Sequence, residues 1–156
     1  MKNSSRIIIG CDHAGFSLKE FIKDYLSVLN FAIEDCGTFS YDSVDYPDFG
    51  IQVAQKVSSG EYPRGILICG TGIGMSMVAN KFPNVRASLC NDLFSAKMSR
   101  LHNDANVLVL GGRIIGKDLA AEIVTTWMST PFEGDRHLKR LHKIKKIEET
   151  LNSDGK

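Results

Sequence analysis

The sequence predicts an α/β fold: a single three-layer α/β/α sandwich with a five-stranded parallel sheet of Rossmann-like type. Two observations predict it. Short β-branched runs alternate with helical patterns along the chain, and such alternation requires right-handed crossovers whose helices cover both sheet faces. The length of 156 residues, 43% of them hydrophobic, supplies one full core but hardly two. We therefore expect one domain over residues 1–156.

The first half of the chain supplies two strands and two helices. Residues 6–11 form an apolar run that predicts a buried strand. Residues 16–29 place apolar side chains at spacings of three and four, which predicts an amphipathic helix. Residues 31–35 predict the second strand, and the polar stretch 37–48 leads into a helix around 49–58.

The second half continues the alternation. The run 65–69 is the clearest buried strand, because it is wholly apolar and a glycine-rich turn follows it. A helix then extends toward Phe82. The remaining predicted elements are strands at 85–90 and 106–110 and helices at 93–101, 119–128 and 135–151.

Charge and composition exclude several classes of function. Lys and Arg number 19 against 18 Asp and Glu, so a net charge of +1 draws the chain neither to nucleic acid nor to an anionic membrane. No apolar run approaches the roughly 18 residues of a membrane helix, and the polar residues 1–5 do not resemble a signal sequence. The four cysteines show no C-x-x-C pairing, so neither a zinc site nor a disulfide framework is indicated. We expect a cytoplasmic protein. The cysteines are Cys11, Cys36, Cys69 and Cys90.

Asp12 and His13 follow the first predicted strand, and ligands of open parallel sheets bind beyond the carboxyl ends of the strands. The turn 11–15 lacks the G-x-G-x-x-G pattern of dinucleotide-binding proteins. It places a carboxylate and an imidazole at the mouth of the sheet instead. The alternative is that Asp12 caps a helix and that His13 is a surface histidine.

Cys69 and the glycine-rich turn after the third strand form the next candidate. Three glycines within residues 70–74 let backbone N–H groups form an anion-binding nest at a helix start. No G-K-[ST] follows, which excludes a P-loop. Nearby amides favour a thiolate, so Cys69 suits a general base or nucleophile. The alternative is a buried core cysteine that ends a hydrophobic strand.

Later in the chain, His102 suits a proton shuttle near neutral pH. Arg136 and Arg140 are four residues apart, so both project from one helix face and suit a phosphate dianion. Arg113 follows the fifth strand. The alternatives are a helix-terminal histidine, a solvated basic helix face and an ordinary surface charge.

All of these candidates except Arg140 lie in seven ordered sequence blocks that resemble the type B ribose-5-phosphate isomerases, a family grouped with the allose- and galactose-phosphate isomerases. The resemblance covers roughly residues 6 to 150. The blocks are GCDHAG (10–15), DYP (45–47), ICGTGIG (68–74), ANKF (79–82), RLHNDAN (100–106), GR (112–113) and EGDRH (133–137). In one branch of the family, the catalytic base is a glutamate that directly follows the last glycine of the glycine-rich turn 70–74. Met75 stands there, so the sequence resembles the cysteine-base branch.

The resemblance implies an aldose–ketose isomerase of sugar phosphates that uses no metal and no organic cofactor. Cys69 would be the base, His102 would assist opening of the furanose ring, and Thr71 would stabilise the enediolate oxygen. The resemblance also implies a dimer or a pair of dimers, with the active site at the boundary between subunits. Further substrate-binding residues carried over by position are the nest residues Gly70, Gly72, Ile73 and Gly74, the hydroxyl-binding Asp12 and Asn103, and the phosphate-binding His13, Arg113, Arg136 and Arg140.

Three functions remain open at this point. The first is interconversion of ribose 5-phosphate and ribulose 5-phosphate. The second keeps the mechanism but acts on allose 6-phosphate or galactose 6-phosphate. The third is a non-catalytic, flavodoxin-like module that holds a phosphorylated ligand in the glycine nest. Because the last helix carries an apolar stripe, we also expect it to dock, at about 135–151, on its own domain or on a partner subunit.

Overall fold

The structure is a computed structural model that describes residues 6–153; the polar residues 1–5 lie outside the described part, as do residues 154–156. Its five strands form one parallel sheet in the order β2-β1-β3-β5-β4. This confirms the predicted fold class. The strands are β1 (Arg6–Cys11), β2 (Ala32–Asp35), β3 (Gly65–Cys69), β4 (Ala87–Leu89) and β5 (Val107–Gly111).

The helices lie on both faces of the sheet. Every crossover is right-handed, so a crossover toward one edge of the sheet places its helix on one face and a crossover toward the other edge places it on the opposite face. Helices α1, α4 and α5 pack on one face, and α2 and α3 pack on the other. The sixth helix follows at the end of the described chain. The helices are α1 (Phe16–Val28), α2 (Tyr46–Ser58), α3 (Ile73–Ala79), α4 (Leu93–Asn103), α5 (Lys117–Ser129) and α6 (Asp135–Ser153).

Several helix boundaries differ from the predicted ones, and two of these differences affect the candidate site. Helix α2 begins at Tyr46 rather than near residue 49, because Pro47 occupies its first turn, where a missing N–H costs nothing. Helix α4 continues to Asn103 rather than ending at residue 101. It ends where Asp104 adopts a left-handed conformation with φ +44°. His102 therefore lies in the last helical turn.

Alternate residues of the central strands serve two separate cores. Ile66 and Ile68 of β3 face α1, α4 and α5, whereas Leu67 and Cys69 face α2 and α3. This period of two is what a strand buried on both faces requires. Trp127 of α5 is fully buried in the first core.

Helix α6 is the exception to this packing. Its described side chains are mostly exposed, and its apolar stripe is only partly covered, with Ile147 59% and Leu151 69% exposed. A groove of about 420 Å³ runs between this stripe and the β4 edge, and Asn103 lies on its wall. None of the helices within residues 6–153 has the length and apolar character needed to cross a membrane.

Candidate active site

The turns after β1 and β3 lie side by side at the carboxyl edge of the sheet, because these two strands are neighbours. Helix α1 leaves toward one face and α3 toward the other. A crevice therefore opens between the turns, at the topological switch point where α/β proteins bind ligands. The structure brings Asp12, His13, Cys69 and Thr71 to this crevice.

Cys69 is the last residue of β3, and its side chain is almost buried. The backbone N–H of Gly72 donates to its Sγ at 3.2 Å. Gly72 has φ +81°, and a Cβ at this position would lie within 3.1 Å of the Leu110 carbonyl and closer still to Leu89. Glycine is therefore what lets the N–H reach the sulfur, and a donated N–H stabilises a thiolate.

The other nest residues are held in place by neighbouring turns. Thr71 is exposed, and its Oγ1 accepts the N–H of Ile73 at 3.3 Å. The side chain of Arg113 lies against Gly70: a Cβ added to Gly70 would be 3.5 Å from Nη1 of Arg113. The N–H of Arg113 also donates to the Gly70 carbonyl at 2.9 Å. The turn after β5 thus places Arg113 directly beside the nest.

Tyr46 is a site residue to which sequence reasoning gave no role. Its ring lies over Gly74, where a Cβ would approach the ring carbons to 2.6 Å. The available signal was the DYP block, which contains Tyr46. Met75, by contrast, is fully buried in the α2–α3 core, and a thioether takes no proton.

Asp12 is 6% exposed and holds the turn that precedes α1, but it does not cap the helix, because the N-cap residue is Gly15 and no side chain accepts a hydrogen bond from the helix start. Its Oδ1 accepts the N–H groups of Ala14 and Gly15, both at 3.0 Å. His13 has a defined role as well: its Nδ1 accepts the N–H of Val44 at 3.2 Å. The neutral ring therefore carries its proton on Nε2. Sequence reasoning did not identify Val44.

A second cluster forms around the end of α4. The rings of His102 and His137 stack with centroids 4.1 Å apart and planes 10° apart. The Oε2 of Glu133 lies 3.8 Å from Nε2 of His102 and 3.1 Å from Nε2 of His137. Arg136 and Arg140 flank His137, at 3.3 Å and 3.4 Å. Two predicted phosphate ligands therefore lie beside the predicted ring-opening histidine, joined by Glu133 and His137, to which no role was assigned.

His102, Glu133 and His137 bring three metal-ligating atoms within 4.8 Å of one another. Their orientation does not suit a cation, because the lone pairs of stacked imidazoles lie in parallel ring planes and do not converge at the 2.0–2.1 Å that zinc requires. The guanidinium groups of Arg136 and Arg140 add positive charge beside them. The cluster is therefore suited to holding protons and anions.

The two clusters lie at opposite edges of the sheet. Strand β3 runs from Gly65 to Cys69, and Gly65 pairs with Val107 at the start of β5. Helix α4 ends just before that start, so His102 lies at the amino edge. Four strand steps of about 3.3 Å put these edges at least about 13 Å apart. The structure therefore does not bring His102, Asn103, Arg136 and Arg140 to Cys69 of the same chain.

This chain is similar in sequence to proteins of a known family. A family model described as Ribose/Galactose Isomerase matches residues 7–144. Ribose-5-phosphate isomerase B of Escherichia coli (strain K12) is 46% identical over 147 residues, which cover 94% of this chain and 99% of that protein.

Solved structures agree with the sequence match. That of Clostridium thermocellum ribose-5-phosphate isomerase B is 51% identical, with a TM-score of 0.92, covering 94% of this chain and 99% of that one. That of Mycoplasma genitalium ribose-5-phosphate isomerase B, with bound ribulose-5-phosphate, is 40% identical with a TM-score of 0.90 and covers 92% and 96%. With a matching family model, near full-length relatives and the same fold, this chain belongs to the ribose/galactose isomerase family.

Proposed function

We propose that this chain is an aldose–ketose isomerase that interconverts ribose 5-phosphate and ribulose 5-phosphate through an enediolate. The observation that carries the proposal is the contact between Gly72 N–H and Cys69 Sγ within a glycine nest. Moving a proton between C2 and C1 requires one base on one face of the sugar, together with donors for the oxygen that becomes negative. Cys69 supplies the base.

The surrounding residues supply the remaining parts of the reaction. The Thr71 hydroxyl and the N–H groups of residues 70–74 stabilise the enediolate oxygen, which removes the need for a metal Lewis acid. Asp12, whose carboxylate is fixed by two backbone N–H groups, binds a sugar hydroxyl. His102 assists opening of the furanose ring and Asn103 binds another hydroxyl.

We further propose that the active unit is a homodimer, alone or as half of a dimer of dimers, in which each site combines two chains. Cys69, Asp12, His13 and Arg113 come from one subunit, and His102, Asn103, Arg136 and Arg140 come from its partner. The separation of the two clusters within one chain supports this, because neither cluster has both a base and a proton shuttle. The exposed stripe of α6 supports it too, since docking would cover Ile147 and Leu151.

Phosphate binding follows from the same arrangement. Arg136 and Arg140 project from the first turns of α6 and hold the phosphate dianion with forked N–H donors. His13, whose Nε2 carries the proton, and Arg113 line the same pocket from the other subunit.

A six-carbon substrate is the second candidate, favoured by the inclusion of galactose in the description of the matching family. Allose 6-phosphate or galactose 6-phosphate would use the same base and nest. One further CHOH group lengthens the distance from the reacting carbons to the phosphate, so the spacing between the two clusters in the dimer determines the choice.

The test is a direct assay of ribose 5-phosphate conversion, with EDTA present, beside allose 6-phosphate and galactose 6-phosphate at equal concentration. We expect the pentose to be turned over fastest. Faster turnover of a hexose would replace the substrate and keep the mechanism. No turnover of any of the three would leave the non-catalytic phospho-ligand module, which a flavin absorbance scan of the purified protein would then examine.

A cytoplasmic location is also proposed. All four cysteines are free thiols, which suits a reducing compartment. Cell fractionation tests this independently of the activity.

A further inference from the structure

His137 is an unusual residue in its helix. It is 3% exposed, whereas its neighbours Arg136 and Leu138 are exposed. An apolar side chain would fill a buried helix position without the cost of burying polar nitrogens. A histidine here is explained only if its ring nitrogens have partners.

Both ring nitrogens do have partners. Nε2 lies 3.1 Å from Oε2 of Glu133, and Nδ1 lies 3.4 Å from Nη1 of Arg140. The ring face stacks on His102. Glu133 is itself fixed to α4, because its N–H donates to the Leu101 carbonyl at 3.0 Å.

The hydrogen-bond partners of the two ring nitrogens favour one tautomer of His137. Burial, and after it the neighbouring His102, lowers the pKa of His137, so its ring is neutral and carries one N–H. An arginine can only donate, and two arginines face the ring: Arg140 Nη1 lies 3.4 Å from Nδ1, and Arg136 Nε lies 3.3 Å from Nε2. A neutral ring has one acceptor nitrogen, so it can accept from only one of them. A proton on Nδ1 would let Nε2 accept from Arg136, but it would leave Arg140 without an acceptor and turn the Nε2 lone pair toward the Glu133 carboxylate. A proton on Nε2 satisfies both Arg140 and Glu133, and we therefore assign it there.

We infer that His137 is a positioning residue, which as the neutral Nε2–H tautomer holds Glu133 and Arg140 and stacks on His102. It thereby fixes the phosphate-binding arginine and the ring-opening histidine relative to each other. The inference rests on the proposed function for what these two groups do to substrate. The contacts themselves do not depend on it.

Three substitutions separate the contacts. His137→Phe keeps a flat ring against His102 and removes both hydrogen bonds. His137→Asn keeps an acceptor near the position of Nδ1, and His137→Gln keeps a donor near the position of Nε2. His142→Asn is the matched control, because His142 lies on the same helix and is exposed.

The readout is the affinity for inorganic phosphate, measured by calorimetry, together with KM and kcat for ribose 5-phosphate. We expect His137→Phe and His137→Gln to weaken phosphate binding and raise KM about tenfold, the usual effect of losing one hydrogen bond to a charged group. We expect His137→Asn to restore both to within about threefold of the wild type. His142→Asn should change neither.

A residue that only fills space would give another result. Wild-type phosphate affinity in His137→Phe, or no rescue by His137→Asn, would overturn the inference. If a variant fails to fold, ¹⁵N NMR of the wild-type imidazole still tests the tautomer: a proton on Nδ1, or a charged ring at pH 7.5, contradicts it. A wild type that binds phosphate but isomerises no sugar would defeat the proposed function and leave this inference standing.

Discussion

Cys69 and His102 lie at opposite edges of the sheet of one chain, although the proposed reaction needs both. Cys69 ends β3 at the carboxyl edge, and His102 lies in the last turn of α4, which ends just before β5 begins. A parallel sheet makes this unavoidable, since the helix between two parallel strands must return to the amino edge.

Mixed dimers test whether the two residues meet between chains. We expect Cys69→Ala and His102→Asn to be inactive separately on ribose 5-phosphate. After joint unfolding and refolding of equal amounts, about a quarter of the wild-type activity should return, because half of the dimers are mixed and each has one intact site. Each variant refolded alone is the control. No recovery in the mixture would mean that the site lies within one chain.

Removal of the Cys69 thiol tests the base. Cys69→Ala should lower kcat about 10²- to 10⁴-fold, the usual contribution of a general base. Phosphate affinity should stay unchanged because the arginines are untouched. Cys36→Ala, at a half-buried thiol outside the crevice, is the matched control and should retain wild-type kcat. Retained turnover in Cys69→Ala would eliminate the cysteine base.

Thiol labelling should single out Cys69. Burial raises the pKa of Cys11 to about 12 and that of Cys90 to about 11. Burial, with a further effect of the Glu34 carboxylate, also raises the pKa of Cys36. These three are therefore protonated at pH 7.5, and protonated thiols do not react with iodoacetamide.

Peptide mass spectrometry after brief labelling of the folded protein measures the outcome. We expect the label on the peptide that contains Cys69, with activity lost in proportion. Labelling of all four peptides in the unfolded protein is the control. Faster labelling of Cys36 than of Cys69 would contradict the special environment assigned to Cys69.

Gly72→Ala should damage both stability and catalysis. Its φ of +81° costs an alanine about 1 kcal/mol, and the clash with Leu89 and Leu110 adds about 1–3 kcal/mol more. Gly60→Ala is a matched control, because Gly60 has φ +78° and no atom within 4 Å of the added Cβ. Urea unfolding should show only the first cost for Gly60→Ala. Equal losses in the two variants would show that packing at the nest is loose.

Asp35 should make stability sensitive to acid. Its carboxylate binds the fully buried Lys19 at 2.6 Å and Lys23 at 2.6 Å. Burial acts to raise the pKa of Asp35, but the hydrogen bonds from the two lysines outweigh it, and the pKa is lowered. The stabilisation is thus fully present above the unfolded value of 3.8 and is lost as the pH falls through the lower folded value.

Urea unfolding at several pH values measures this effect. At pH 7, Asp35→Asn should reduce the free energy of unfolding by about 3 kcal/mol, because Lys19 loses a charged partner while buried. The difference from wild type should shrink as the pH falls below 3.8, and it should vanish below the lower folded pKa, where Asp35 of the folded wild type is neutral too. Asp24→Asn, at an exposed position of α1, should stay within about 0.5 kcal/mol at every pH. A loss that does not change with pH would contradict the charge-based account.

The sequence by itself determined the parallel sheet and the residues at its carboxyl edge. Asp12, His13 and Cys69 directly follow or end apolar runs, so their placement needs only local information: where a strand stops. The same holds for Gly72, because the glycines next to it predict the turn from local sequence alone. The edge of the sheet at which His102 lies could also be predicted from the sequence, because a helix between parallel strands ends at the amino edge.

Only the tertiary structure decided which distant side chains meet. Val44 contacts His13, Tyr46 covers Gly74, and His137 stacks on His102 across 35 residues of chain. Such contacts depend on where α4 ends and how α6 crosses it, and a difference of one helical residue turns a side chain by about 100°. Hydrophobic periodicity specifies which face of a helix is buried. It does not specify which polar side chain that face will meet, because that depends on how whole elements pack.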